Sequence, residues 1–166
     1  MKISTTNGGA PVGEMEQFAY LKELGFDACD FSLGKYFYPT SEIFGDINNV
    51  TDAQIKERFT ALRKAAEAAD FEIGQTHSQF TGHPRNYDMN LDDLLKREIA
   101  CIKATHYLGC KYMICHPIIK PGRRYDLLVK EAFDEAIDFY KKLIPYLEEY
   151  DVICCVENMW VSDPVY

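Results

Sequence analysis

Apolar residues along this chain alternate between two rhythms: short continuous runs of four to six, and longer stretches with an apolar position every third or fourth residue. The first rhythm predicts buried strands and the second amphipathic helices. Lys2-Ile3-Ser4-Thr5 opens as a short strand, and Gly8, Gly9 and Pro11 mark a loop. A helix follows with Met15, Phe18, Ala19, Leu21 and Leu24 as its apolar face, closed by Gly25. Phe26 to Phe31 is a second strand, and Tyr36, Phe37, Tyr38 and Pro39 fall in a long aromatic loop. Thr51 is an N-cap for a helix from Asp52 to Ala69, in which Ile55, Phe59, Leu62, Ala65, Ala66 and Ala69 recur at helical spacing. Glu72 to His77 is a third strand, with a polar loop beyond it. Asn90 and Asp93 cap a helix bearing Leu94, Leu95, Ile99, Ile102 and Ala104, which stops near Gly109. Lys111 to His116 is a fourth strand. A helix from about Asp126 to Tyr150 buries Leu128, Ala132, Ala136, Phe139, Leu143 and Leu147, with Pro145 expected to kink or break it. Val152 to Glu157 is the fifth strand.

Strands joined by helices demand a parallel sheet with right-handed crossovers. Two α/β architectures fit, an open doubly wound sheet and part of a (β/α)8 barrel. No Gly-rich turn follows the first strand to cradle a pyrophosphate, and the polar chemistry sits at several strand ends, so the barrel is favoured. The 166 residues hold five strands, whereas eight would require ~250 or more. The expectation is one incomplete barrel domain over 1–166, ending before a sixth strand.

Composition narrows the class. With 47% hydrophobic and 27% charged residues the chain is an ordinary globular one, and no stretch reaches the ~18 apolar residues of a membrane helix. No secretory leader is evident, so a cytoplasmic protein is expected. A formal charge of −8 disfavours nucleic acid as the main partner. The six cysteines show no metal-finger spacing, and several lie in apolar runs, which predicts reduced, buried thiols. Cys154 and Cys155 are neighbours on a strand and should face opposite sides.

The chemistry lies at three strand ends: Gln75-Thr76-His77, Cys115-His116-Pro117 and Val156-Glu157-Asn158. Parallel strands deliver their C-terminal ends to one rim, where two imidazoles and a carboxylate would converge on a metal. The bland alternatives are a carboxylate held by backbone donors and histidines bonded to backbone. His83 and His106 carry no assigned role. Tyr36, Phe37, Tyr38, Phe80 and Trp160 either wall a substrate pocket or simply roof the sheet. Lys120, Arg123, Arg124 and Arg85 lie in the exit loops, where Arg123 is a candidate for an anionic substrate.

These elements, with Val156-Glu157-Asn158-Met159, resemble the N-terminal part of the xylose isomerase-like TIM barrels, a superfamily of sugar and sugar-phosphate isomerases and epimerases that includes endonuclease IV. The resemblance runs from the first strand to the last. It implies that Glu157 is a metal ligand and proton-transferring base. It implies for His77 and His116 either zinc ligation, as in the endonuclease-like branch, or a place in the substrate pocket. The family also expects ligands on the sixth and seventh strands and a second glutamate on the eighth, beyond this chain.

The expected function is therefore the N-terminal part of a divalent-metal-dependent (Mn, Co, Mg or Zn) sugar or sugar-phosphate isomerase/epimerase working through an enediolate, inactive as this piece. The alternatives are a zinc-dependent endonuclease IV-like repair enzyme and a non-catalytic half-barrel. Open sheet edges predict a homodimer or association through the open barrel edges.

Overall fold

The computed structural model describes residues 2–80, 90–117 and 129–157, with the side chains of 129–132 outside that set. Its elements run β1 (Ser4–Thr6), α1 (Gln17–Glu23), β2 (Ala28–Ser32), α2 (Gly34–Phe37), a 3-10 turn (Ile47–Asn49), α3 (Asp52–Ala68), β3 (Glu72–His77), α4 (Leu91–Tyr107), β4 (Tyr112–Cys115), α5 (Val129–Glu149) and β5 (Ile153–Val156). The five strands form one parallel sheet in chain order, β1-β2-β3-β4-β5. Sequential order with helical crossovers is the barrel arrangement, here as an open arc.

Local signals explain most boundaries. Thr51 and Gln54 make a reciprocal capping box at the start of α3, and the Asn90 side chain accepts from the Asp93 amide at 2.8 Å to start α4. Four helices end alike. After α1, α3, α4 and α5 a residue with positive φ (Gly25 93°, Asp70 49°, Gly109 76°, Asp151 50°) turns the chain into the next strand. The following amide bonds back five residues, as in Phe26 to Leu21 and Cys110 to Thr105, which is the Schellman closure.

The core lies between the sheet and its helices. Phe18, Phe31, Tyr36, Phe37, Phe44 and Phe59 form its aromatic centre, with Leu62, Ile102, Met113 and Leu143 continuing it across the sheet. Across the β3–α4 contact the Thr76 and Thr105 hydroxyls pair at 2.7 Å, so Thr76 faces the helices and the alternate residues Gln75 and His77 face the other side.

Four expectations change. The aromatic segment is not a loop: Gly34–Phe37 is a short helix whose Tyr36 and Phe37 are fully buried, because the core below β2 has room for both rings. Met15 and Leu24 are exposed at 40% and 57%, since α1 is shorter than its apolar pattern and both flank it. Strands β1, β2, β4 and β5 also begin later than read. Finally, α5 runs continuously through Pro145. A proline costs one backbone bond there, and Phe139 and Leu143 before it, with Tyr146 and Leu147 after it, pack the helix against the core on both sides. Leu128 lies outside the described residues.

Candidate active site

Three strand ends place His77, His116 and Glu157 on one rim, where their ligand atoms all fall within 4.8 Å of one another. The two imidazoles meet at 3.1 Å between Nε2 atoms, with ring centroids 4.8 Å apart and planes 27° from parallel. Glu157 Oε2 lies 3.4 Å from His116 Nδ1 and 3.7 Å from His77 Nε2. Strand pairing fixes this geometry, for His77 sits opposite Ile114 and Cys115 opposite Val156, while the Glu157 amide donates to the Cys115 carbonyl at 2.9 Å. His116 is further held through its own carbonyl, which accepts from the Tyr140 hydroxyl on α5 at 2.5 Å.

The two histidines live in different electrostatic surroundings. His77 Nδ1 donates to Asp30 Oδ2 at 2.9 Å, and that bond raises its pKa against the opposing effect of burial. Burial lowers the His116 pKa, and the neighbouring His77 lowers it further. Among the described residues neither ring bonds to backbone; each meets side chains of the cluster instead. Asp30 is a member of the cluster that the sequence reading missed. Its only signal was an acidic residue inside the run Phe26 to Phe31.

The cluster fits a divalent ion. Two ligands each ~2.1 Å from a tetrahedral ion lie about 3.4 Å apart; His77 Nε2 and Glu157 Oε2 are 3.7 Å apart, and with one ligand atom from each residue the three lie within 4.8 Å of one another. His116 Nδ1 is buried without a hydrogen-bond partner, an acceptor facing a carboxylate that a cation would reconcile. Two imidazoles and a carboxylate suit zinc and its borderline neighbours.

Aromatic groups border the site unequally. Phe80 packs edge-on against His116, centroids 4.7 Å apart, and its amide donates to the Tyr38 hydroxyl at 3.3 Å. Tyr38 and Phe80 are thus brought to the rim, while Tyr36 and Phe37 belong to the core. Trp160 and Arg123 lie outside the described residues, as do Arg85, Lys120, Arg124 and His83. His106 sits far off in the last turn of α4, its Nδ1 bonded to the Tyr150 carbonyl.

Residues 18–166 match the family described as xylose isomerase-like TIM barrel. The chain belongs to that family. No curated protein matches it. Among solved structures it is similar in fold to the 3-keto-D-glucoside 4-epimerase YcjR of E. coli (TM-score 0.60, 16% identity, 94% of this chain and 55% of that one). It is also similar to a D-tagatose 3-epimerase-like protein (0.61, 18%, 96% and 53%) and to the IolI protein with a bound zinc atom (0.55, 14%, 94% and 51%). The chain thus spans about half the length of these neighbours. Its membership places it among sugar isomerase and epimerase folds, and among the described residues no helix is long and apolar enough to cross a membrane.

Proposed function

We propose that the chain carries the first part of the active site of a divalent-metal-dependent sugar or sugar-phosphate isomerase/epimerase. The observation that carries this reading is the convergence of His77, His116 and Glu157 on the C-terminal rim of a sheet of this family. When bound, a divalent ion supplies Lewis acidity toward neighbouring carbonyl and hydroxyl oxygens of a sugar. Glu157 turns one carboxylate oxygen toward the imidazoles and leaves the other to take a proton from the carbon beside a sugar carbonyl, giving an enediolate. Phe80 and Tyr38 wall the sugar off from water, with Trp160 and Arg123 the further candidates for stacking and for an anionic group.

Within this reading the chain by itself holds the ion and does not turn over. Equilibrium dialysis with Zn²⁺, Co²⁺, Mn²⁺ and Mg²⁺ is expected to show one site, weakened more than tenfold in Glu157→Gln and in His116→Ala. Deuterium uptake beside the carbonyl, followed by NMR across ketoses and aldoses with the barrel completed by further strand-helix units, tests the reaction. Metal-loaded protein that exchanges no substrate proton would end the isomerase reading. The paired histidines keep zinc-dependent phosphodiester cleavage as a second reading, and salt-sensitive cleavage of abasic duplex DNA would favour it.

A further inference from the structure

His77 meets Asp30 through an irregularity in the sheet. Between Cys29 and Asp30 the β2–β3 register slips by one residue, so that Cys29 pairs with Ile73 but Asp30 pairs with Gln75, leaving Gly74 unpaired. The extra residue is in β3: Cys29 and Phe31 both lie in the core, so alternation along β2 already turns Asp30 to the other face, whereas in an unbroken register, with Asp30 opposite Gly74, alternation along β3 would carry His77 to the helix side. With the slip, Asp30 shares the face of Gln75 and His77. Bulges beside active sites commonly re-aim a side chain in this way. The carboxylate is then spent on one bond: Oδ2 accepts from His77 Nδ1 at 2.9 Å, while Oδ1 is buried with no hydrogen bond. A carboxylate kept for structure alone would be expected to use both oxygens.

We propose that Asp30 is a positioning residue for His77. By accepting the Nδ1 proton it fixes the tautomer whose Nε2 lone pair points at His116 and Glu157, orients the ring, and raises its basicity as a ligand. The affinity consequence rests on the metal-dependent reading above; the tautomer does not. Asp30→Ala removes the acceptor, and Asp30→Asn keeps an acceptor without the charge. Zn²⁺ affinity by equilibrium dialysis is expected to fall ten- to a hundredfold in the alanine variant and less in the asparagine variant, with circular dichroism unchanged. Long-range ¹H–¹⁵N NMR of the metal-free chain at pH 9 should show His77 protonated at Nδ1 in the wild type and a shift toward Nε2 in Asp30→Ala. An Nε2-protonated wild type, or an alanine variant that binds Zn²⁺ within twofold of wild type, overturns the proposal. Wild-type protein that takes up no metal overturns the metal reading instead, and the tautomer shift then decides the role of Asp30 alone. Should the alanine variant not fold, the asparagine variant and the wild-type tautomer carry the same decision.

Discussion

Single residues behave here according to what surrounds them more than what they are. Glu98, in the middle of α4, is buried, and among the described residues only the Ser78 hydroxyl lies near enough to act on its carboxyl, without a well-formed hydrogen bond. Burial pushes its pKa up to about 8, with the nearby Ser78 hydroxyl working the other way. The folded state therefore favours the protonated acid. That contribution is complete below the unfolded carboxyl value of 4.5 and is lost as pH rises toward about 8. Stability in urea should fall across that window by up to ~1.4 kcal/mol per pH unit, and Glu98→Gln should flatten the fall. Equal slopes in both proteins would remove Glu98 from the account. The thiols follow the same logic. Cys115 and Cys154 approach to 3.0 Å on the helix side of the sheet, and this contact together with burial raises the Cys115 pKa, so it is a core residue rather than a nucleophile. The sequence identified Cys29, Cys101, Cys110 and Cys115 as core by their apolar company, while Cys154 and Cys155 are only half-buried; it could not see Glu98, because a glutamate at helical spacing is indistinguishable from one on a solvated face.

At the scale of elements, four helix-to-strand joints use one closure with two kinds of residue. Gly25 and Gly109 were legible as caps, since glycine adopts positive φ without a Cβ penalty. Asp70 and Asp151 do the same job and were not, because aspartate is common in many other settings. Gly109→Ala should cost ~1–2 kcal/mol, with its new Cβ only 3.0 Å from the Arg63 side chain, while Asp70→Gly should gain up to ~1 kcal/mol. Thermal unfolding of the two variants, shifted in opposite directions, would show that the closure is a shared device; shifts of one sign would not. The bulge at Asp30 and the helix Gly34–Phe37 were equally hidden, as both depend on what the neighbouring strand and core leave available.

On the scale of the whole molecule, the sheet is an arc, and among the described residues β1 and β5 are each paired on one side only. Tyr112 and Ile153, which share the inner face with His116 and Glu157, are 48% and 45% exposed, and Val156, Phe133 and Ile144 are exposed beyond β5 on the other face. Surfaces of this kind are contact sites in larger assemblies. We expect the 166-residue chain to self-associate, with a sedimentation coefficient that rises with concentration, and Ile153→Lys to reduce it. A monomer at all concentrations would show that the apolar arc tolerates water.

The alternation of strand and helix, the parallel sheet and the three metal-competent strand ends were determined by the sequence alone, because periodicity and chain direction decide which residues reach a common rim. That His77 turns to Asp30, that His116 holds an unpartnered buried nitrogen, and that Tyr36 and Phe37 belong to the core rather than the pocket were decided only by tertiary structure. These outcomes depend on register and on the space left by distant residues, which no local pattern contains.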